Sequence, residues 1–240
     1  MKTIVIIQAR IGSTRLPGKI LKPLEEETVL SYVVKRCKAI QGVDDVIVAT
    51  STLSQDDVVE KWCQENDVSV CRGSEEDVLS RYVQCAKTYN PNYIMRVTAD
   101  CPFVDYELAS EIVKFMKGRD VEIVDLQGDM PRGLAVELLT FNALKRMDQK
   151  GKLERHREHV TYYAYEFKEQ FSRASFSVPQ NRIYPALRIT VDTEEDYELC
   201  QAVAKHFSHP LVSSVDVINF LLENPEVAKL NAHIKQKPVV

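Results

Sequence analysis

The sequence lacks the usual features of a secreted, membrane-bound or nucleic-acid-binding protein. Its six cysteines are scattered and no two form a Cys-x-x-Cys pair, which fits neither a structural zinc site nor a dense disulfide framework. A net charge of −4 over 240 residues argues against a nucleic-acid partner, because such partners usually require a basic face. The hydrophobic run at the start ends before Arg10 and is too short for a signal peptide or a membrane span. These absences predict a reduced, cytoplasmic protein.

Short β-rich runs alternate with helical patterns through the first half of the chain. The strand candidates are residues 3–8, 46–50, 68–71, 93–97 and 121–124, and the helix candidates are residues 28–40, 55–66, 75–89 and 107–117. The strand candidates contain few polar residues, as is typical of strands covered on both faces. The order predicts a three-layer, mostly parallel, Rossmann-like α/β sheet.

Three helix starts are indicated by hydroxyl residues that precede carboxylates, two of them at the candidates 55–66 and 75–89. Ser54, Ser74 and Thr193 each stand before acidic residues, and this pattern satisfies unpaired backbone amides and complements the helix dipole. Thr193 follows the apolar run 186–191, which we interpret as another strand.

The pattern changes after about residue 130. Residues 134–139 alternate like a strand, residues 153–167 form a helical pattern, and residues 171–178 are another strand candidate. We expect antiparallel strands here, in an excursion over about residues 130–180 that covers the site or forms a dimer contact. No linker or internal repeat is present, so the sequence predicts one domain over residues 1–240.

The loop after the first strand is the most informative segment. Residues 9–19 (ARIGSTRLPGK) contain Arg10, Arg15 and Lys19 together with two glycines and two hydroxyls. Ligands of open α/β sheets bind at the carboxyl ends of the strands, where glycines let backbone amides approach phosphate oxygens and cations neutralise them. The loop is neither Gly-x-Gly-x-x-Gly nor a phosphate loop that ends in Gly-Lys-Ser/Thr. We interpret it as a nucleotide-binding loop rather than a solvated basic turn.

This loop resembles that of the cytidylyltransferases that make CMP-activated sugar acids, such as the CMP-3-deoxy-manno-octulosonate and acylneuraminate enzymes. The later motifs follow in order over nearly the whole chain, at residues 70–82 (VCRGSEEDVLSRY), 96–105 (RVTADCPFVD), 131–137 (PRGLAVE), 157–161 (REHVT) and 188–196 (RITVDTEED). As a set they resemble the branch of this family that acts in spore coat polysaccharide biosynthesis. The resemblance implies the nucleotide-diphospho-sugar transferase fold and a nucleotide site that includes Ala9, Arg10, Gly12, Ser13, Arg15 and Lys19.

Two aspartates are candidate metal ligands. Asp100 follows the strand candidate 93–97, and Asp192 follows the run 186–191, so both are expected at the edge that carries the basic loop. Magnesium prefers carboxylate and phosphate oxygens, although an isolated Asp in such a position is also a common turn or cap residue. The resemblance implies that Asp100 and Asp192 bind Mg²⁺, and that Arg15, Lys19 and both aspartates form the catalytic set.

The turn after the third strand is placed beside the nucleotide base by the resemblance. Arg72, Gly73 and Ser74 form this turn, and Ser74 also suits a helix cap. Arg81 and Tyr82 follow on the next helix, where helix surface and core are the preferred interpretations and ligand contact is the alternative.

The acceptor sugar is expected to contact residues of the second half. The resemblance points to Arg132, Gly133, Glu137 and His159, with His159 as a hydrogen-bond partner or a proton-transfer group. His156 and His159 have the spacing of a shared metal site, but without a third ligand a helix-surface pair is the better interpretation. Two positions depart from the family pattern. Ala135 stands where an aspartate is expected, which puts the acceptor or even turnover in question, and Glu194 stands where relatives often carry proline.

The resemblance thus implies transfer of CMP from CTP to a sugar acid, with release of pyrophosphate. Nucleotidyltransferases with purine or uridine/thymidine donors usually have Gly-Gly after the first strand, where this chain has Ala9-Arg10. A nucleotide-sugar glycosyltransferase is the first alternative, but it requires an Asp-x-Asp motif, and Asp125 and Asp129 have the wrong spacing. A nucleotide-binding homologue without turnover is the second. A homodimer is common among relatives, and Tyr162, Tyr163, Tyr165 and Phe167 suit either a dimer contact or a core.

Overall fold

The computed structural model describes residues 1–236, so the last four residues of the predicted 1–240 domain lie outside the described residues. The strands are β1 (Thr3–Gln8), β2 (Pro23–Leu24), β3 (Glu27–Thr28), β4 (Asp45–Ser51), β5 (Ser69–Gly73), β6 (Tyr93–Thr98), β7 (Ile123–Gln127), β8 (Glu137–Thr140) and β9 (Arg173–Ser177). The α-helices are α1 (Val29–Lys38), α2 (Asp57–Glu65), α3 (Val78–Tyr89), α4 (Tyr106–Met116), α5 (Phe141–Lys150), α6 (Glu154–Glu158), α7 (Tyr162–Glu166), α8 (Glu194–Phe207), α9 (Ser214–Glu223) and α10 (Pro225–Ala228).

Seven strands form one sheet in the order β5-β4-β1-β6-β8-β7-β9, and β2 pairs with β3 separately. Strand β1 is parallel to β4 and β6, β4 is parallel to β5, and β7 is parallel to β9. Strand β8 is antiparallel to both of its neighbours, β6 and β7. The predicted mostly parallel sheet with an antiparallel excursion is therefore confirmed. The carboxyl ends of β1, β4, β5, β6 and β7 lie at one edge of this sheet.

Helices cover both faces of the sheet, because alternate residues of each central strand point to opposite sides. On one face, Val5 and Ile7 of β1 pack with α1, α2 and α4. On the other face, Ile4 and Ile6 pack with α3, α5 and α7. A third apolar cluster joins α8 and α9 to the segment between β1 and α1. The β1 loop is thus held between the sheet and this third cluster.

Two predicted elements differ from the structure. The predicted helix 153–167 is divided into α6 and α7, and Val160 between them has a φ of +47°, a conformation unfavourable for a β-branched residue. Just after Val160, the hydroxyl of Thr161 donates to Glu137 at 2.9 Å, so the break coincides with a tertiary contact. The run 186–191 is not a strand but contributes a single bridge, from Arg188 to Arg132.

The three predicted helix starts have different outcomes. Thr193 begins α8 with a capping box, in which it and Asp196 bond each other's backbone amides. Ser74 does not cap α3, because Asp77 occupies the cap position and accepts a bond from the Ser80 amide. Ser54 begins a short 3₁₀ turn that leads into α2 and makes no capping bond.

All six cysteines are free, in agreement with the predicted reduced state. Within residues 1–236, no helix has the length and apolar character needed to cross a membrane.

Candidate active site

The carboxyl edge of the sheet opens into a large cleft with a volume of about 1320 Å³. Ligands of open α/β sheets bind at this edge. The cleft brings together most of the predicted site residues, although they are far apart in the sequence. Its lining includes Ala9, Arg10, Gly12, Ser13, Arg15, Lys19, Asp100, Asp192, Arg132, Gly133, Glu137 and His159.

The β1 loop is anchored by a buried carboxylate. The amide of Ile11 donates to Oδ1 of Asp56 at 2.7 Å, and the amide of Gly18 donates to the Ile11 carbonyl at 3.2 Å, which closes the loop. The amides of Gly12 and Arg15 have no hydrogen-bond partner within residues 1–236. Because both residues line the cleft, these donors are available for phosphate oxygens.

The Lys19 ammonium joins the two predicted metal ligands. Its Nζ lies 2.6 Å from Oδ2 of Asp100 and 2.7 Å from Oδ1 of Asp192. Nη2 of Arg15 lies 3.2 Å from the other oxygen of Asp192. Asp100 comes just after β6 and Asp192 just before α8, so one cation connects two distant segments at the centre of the cleft.

Burial and pairing together set the charges of this cluster. Burial alone would lower the pKa of Lys19, but Asp100 and Asp192 outweigh it and raise that pKa above its ordinary value. Burial alone would raise the pKa of Asp192, but Lys19, Arg15 and Arg188 outweigh it and lower that pKa to about 2. Lys19 and Asp192 are therefore both charged at neutral pH.

Arg188 fixes the orientation of the Asp192 carboxylate. Its Nη2 donates to Oδ2 of Asp192 and its Nε donates to Oδ1 of Asp196, both at 2.8 Å. Asp196 is fully buried and also accepts bonds from the amides of Asp192 and Thr193, at 3.0 and 3.2 Å. Nδ2 of Asn231 donates to Asp196 at 2.8 Å. A buried network whose members satisfy one another holds its side chains in one arrangement.

A glycine turn connects this cluster to the half of the cleft that contains Arg132, Glu137 and His159, the residues predicted to contact the acceptor (the predicted acceptor half). Gly133 has a φ of +97°, and a Cβ atom there would lie 2.1 Å from the carbonyl oxygen of Ile189. The amide of Ile189 also donates to the Arg132 carbonyl at 2.7 Å. Only glycine permits this conformation and this close approach, so the predicted residue Gly133 is required by the backbone.

The structure places Arg72, Gly73 and Ser74 outside the lining of the cleft. Nη1 of Arg72 donates to Glu60 at 2.7 Å, and Nη2 lies 2.7 Å from Asp57. Arg72 thus joins β5 to α2. The contact of these three residues with a nucleotide base stays a prediction.

Arg81 lines the cleft on the same side. The expectation that it lies on the helix surface is wrong, because its side chain is only 2% exposed and packs beneath Gly73. Tyr82 lies in the core, as predicted, and its hydroxyl donates to the Ile6 carbonyl at 3.0 Å.

The predicted acceptor half contains a hydrogen-bonded network around Glu137. Nη1 of Arg96 donates to Oε2 of Glu137 at 2.5 Å, and Oε1 accepts bonds from Thr161 at 2.9 Å and Tyr165 at 2.6 Å. Burial alone would raise the pKa of Glu137, but Arg96 outweighs it and lowers that pKa. Both oxygens of Glu137 are thus engaged, and the carboxylate orders three other side chains.

Other residues of this half present polar groups without such partners. Arg132 and Lys168 line the cleft, and neither has an ion-pair partner in the part of the chain that the structure describes. Ala135 is exposed in the same lining. The chain therefore has a methyl group where the family pattern predicts a carboxylate.

The two histidines of residues 153–167 have different surroundings. His156 is buried and its Nε2 lies 2.5 Å from Oε2 of Glu166. His159 lines the cleft, where burial lowers its pKa, so it is neutral at pH 7. The prediction that both histidines lie on a helix surface is therefore wrong for His156. Its ring packs against Tyr163, which the break before α7 permits.

Asp100 and Asp192 could bind a divalent cation if a bound nucleotide supplied the other oxygen ligands. No cluster of three or more His, Cys, Asp or Glu that could hold a metal occurs among residues 1–236. Mg²⁺ is usually bound by one or two carboxylates plus substrate phosphates and water. Asp100 and Asp192 fit this pattern, because both already contact one cation.

Sequence reasoning missed Asp56, which it assigned to a helix start. The Ser54-Gln-Asp-Asp pattern gave no sign that Asp56 reaches the β1 loop 45 residues away in sequence. It also missed that Lys168 lines the cleft, because this residue lies between the family motifs at residues 157–161 and 188–196. Arg96 and Arg188 were within those motifs but had no assigned role.

The chain is similar to solved structures over most of its length. It superimposes on a cytidylyltransferase from Leptospira borgpetersenii serovar Hardjo-bovis with a TM-score of 0.88 and 35% identity, covering 99% of this chain and 100% of that one. The CMP:2-keto-3-deoxy-manno-octonic acid synthetase complexed with CTP has the same fold, with a TM-score of 0.68 and 16% identity, covering 86% of this chain and 100% of that one. The fold and the cleft define a nucleotidyltransferase.

Sequence comparison identifies the family. The family model described as cytidylyltransferase matches residues 4–231. The chain is 36% identical to the spore coat polysaccharide biosynthesis protein SpsF of Bacillus subtilis (strain 168) over 93% of this chain and 95% of that protein. The chain belongs to the cytidylyltransferase family, and the resemblance to its spore coat branch is confirmed.

Proposed function

We propose that the protein transfers CMP from CTP to a sugar acid, of the nonulosonate type, for a spore coat or surface polysaccharide. The observation that carries this proposal is the Lys19 ammonium held between Asp100 and Asp192, 2.6 and 2.7 Å from them, at the end of a cationic loop. Positive charge beside two carboxylates supports the binding of a triphosphate together with a divalent cation.

The β1 loop is assigned to the triphosphate. Arg10, Arg15 and Lys19 supply three cations, and the amides of Gly12 and Arg15 supply unpaired donors. Charge-assisted bonds to phosphate oxygens are stronger than neutral ones. In this assignment the triphosphate attracts Lys19 and Arg15 away from the aspartates, so the carboxylates become available to the cation that accompanies the nucleotide.

The reaction is displacement at the α-phosphorus. A hydroxyl oxygen of the acceptor forms a bond to that phosphorus, the bond to the bridging oxygen of the β-phosphate breaks, and pyrophosphate leaves. Bound at Asp100 and Asp192, Mg²⁺ would neutralise charge that develops on phosphate oxygens. Lys19 and Arg15 stabilise the leaving group, and no covalent enzyme intermediate is needed.

The other half of the cleft is assigned to the acceptor. Arg132 and Lys168 are cations without ion-pair partners among the described residues, which suits a carboxylate ligand. His159 is neutral at pH 7 because burial lowers its pKa, so it can accept a proton or a hydrogen bond from the attacking hydroxyl. Glu137 orders the wall next to it.

A homodimer is also part of the proposal. Two of the aromatic residues suggested for its contact have other partners in the structure, since Tyr163 lies in the core and Tyr165 bonds Glu137.

The relatives support CTP and a sugar acid as substrates. The synthetase that shares the fold was solved with CTP, and its name specifies an octonic acid. The relative that covers nearly the whole chain is named for spore coat polysaccharide biosynthesis. Ala9-Arg10 at the start of the loop agrees with this donor.

The proposal is tested by pyrophosphate release with CTP, UTP, dTTP, ATP and GTP in Mg²⁺, against 2-keto sugar acids and simple sugar phosphates. We expect release with CTP and a sugar acid only, and its loss in Lys19→Ala and Asp100→Ala proteins. Release with sugar phosphates alone would contradict the acceptor class. CTP binding without release on any acceptor would instead indicate a homologue without turnover, with Ala135 as the first residue to replace.

A further inference from the structure

The Arg81 guanidinium is buried in the cleft wall without a carboxylate partner. It lies on α3, is 2% exposed, and belongs to the lining of the cleft. Nη1 donates to the Ser74 carbonyl at 2.8 Å, whereas the buried Nε has no hydrogen-bond partner. Within residues 1–236, no carboxylate lies in ion-pair distance of Arg81. A buried cation with unused donors points to a missing ligand.

Arg36 shows how this chain satisfies a buried arginine that has no ligand to bind. Arg36 is fully buried and also lacks a carboxylate. Its nitrogens donate to three carbonyls, those of Val104, Pro210 and Val212, each at 2.7 Å, and to Oγ of Ser214 at 3.2 Å. Arg81 has one such bond. The difference separates a structural arginine from one whose donors remain available.

Arg81 lies where it could contact the base of a nucleotide whose phosphates bind the β1 loop. It lines the cleft together with Gln8, Arg10 and Val78, and its helix α3 packs against β1, β4 and β5. Its stem is fixed, because a Cβ atom at Gly73 would lie only 3.0 Å from Cγ of Arg81. The acceptor network around Glu137 lies on the opposite side, beyond β6.

We propose that Arg81 reads the cytosine ring of CTP by donating to its adjacent O2 and N3 acceptors. Arginine has donors only, arranged in a planar fork. Cytosine offers two neighbouring acceptors that match this fork, whereas uracil carries a hydrogen on N3 and would oppose it. Arg81 is therefore a specificity-determining residue for the donor. The inference rests on the proposed function, because it assumes that a nucleoside triphosphate binds in this cleft.

Arg72 was also predicted to contact the base, but its surroundings in the structure favour this role less than those of Arg81. The donors of Arg72 are committed to Glu60, Asp57 and two carbonyls, and a base would have to displace them. Arg81 makes one hydrogen bond, from Nη1 to the Ser74 carbonyl, so its remaining donors need no displacement. Arg81 also lines the cleft, and Arg72 does not.

The test is calorimetric binding of CTP, UTP and 3-deaza-CTP, which carries a C–H group in place of N3, with Mg²⁺ and without acceptor. The variant Arg81→Lys keeps the charge and removes the fork. Arg146→Lys is the matched control, because Arg146 also has a buried Nε without a partner but pairs with Glu122 outside the cleft lining. Melting temperatures of both variants establish that they are folded.

We expect the natural protein to bind CTP about 10- to 100-fold more tightly than UTP or 3-deaza-CTP. Arg81→Lys should bind all three with similar, weaker affinity, and Arg146→Lys should keep the natural preference. Equal affinity of the natural protein for CTP and 3-deaza-CTP would overturn the inference without reliance on any variant. A CTP preference that persists in folded Arg81→Lys would also overturn it, while the proposed function would stand. Absence of binding to any nucleotide would overturn both.

Discussion

The two halves of the cleft are built in different ways. The proposed nucleotide half is one continuous loop, residues 9–19, in which the amides of Gly12 and Arg15 have no partner within residues 1–236 and each of the three cations contacts a carboxylate. The proposed acceptor half is assembled from distant segments, and its Glu137 already bonds Arg96, Thr161 and Tyr165. Between the halves, Lys19 contacts Asp100 and Asp192.

This difference indicates what each half does. Unpaired amides and a cluster of three cations suit a highly charged ligand that bonds the amides and competes with the carboxylates for the cations. A network that is complete without ligand instead holds a wall in a fixed shape, which favours recognition by geometry. Changes in the nucleotide half should therefore affect chemistry, and changes in the acceptor half should affect stability and acceptor affinity.

The largest expected effect is on the nucleotide half. Lys19→Met should lower kcat/KM for pyrophosphate release about 100- to 1000-fold, because a positioned charge at the phosphates is lost. Lys22→Met is the control, since Lys22 lies nearby but pairs with the exposed Glu194 outside the cleft lining. Near-natural activity of Lys19→Met would contradict the comparison.

Glu137→Gln tests the acceptor half. It should reduce the free energy of unfolding by about 3 kcal/mol, because Arg96 loses the charged partner of a largely buried pair. Urea denaturation measures this, with Glu76→Gln at an exposed position as the control. CTP affinity should stay unchanged while the KM for the acceptor rises. A stable Glu137→Gln protein with weakened CTP binding would reverse the assignment of the halves.

Gly133→Ala tests the turn that connects the halves. We expect a loss of about 2 kcal/mol in unfolding free energy, from strain at positive φ and collision with the Ile189 carbonyl. Gly118→Ala is matched in φ, at +83°, but has open space around it, so the difference between the two variants isolates the collision. Equal stability of the two would mean that the turn relaxes without cost.

The smallest expected effect is the pH dependence contributed by His159. Because burial lowers its pKa, the unfolded chain binds a proton at His159 before the folded protein does as the pH falls below 6.5. The stability contribution of His159 is therefore complete above pH 6.5 and declines below it. His159→Asn should remove this decline, by a fraction of a kcal/mol, since the side chain is 37% exposed and screened by solvent. Denaturation at pH 8 and pH 5.5 measures it, and a decline of equal size in both proteins would contradict it.

The nucleotide half was largely predictable from sequence because it is local. Lys19 and Arg15 lie within a few residues of β1, and the strand that carries them is a continuous apolar run. Asp100 was predictable for the same reason, since it follows β6 directly. The strand ends alone place these groups at one edge of the sheet.

The acceptor half was predictable only in part, because tertiary contacts override local patterns there. The helical period of residues 153–167 gave no sign of the break at Val160, which lets Thr161 reach Glu137. The apolar run 186–191 was interpreted as a strand, but it forms an isolated bridge at Arg188 instead. The burial of Arg81 was likewise invisible, because it depends on how closely α3 packs beneath Gly73.

The most direct test of the account follows the α-phosphate itself. The protein is incubated with CTP labelled at the α-phosphate, Mg²⁺ and a 2-keto sugar acid, and the products are separated. The account predicts that the label moves into a CMP-sugar in step with unlabelled pyrophosphate, and that Lys19→Met slows both about 100- to 1000-fold. Label that remains in CTP while the nucleotide is bound, or transfer at the natural rate in Lys19→Met, would contradict it.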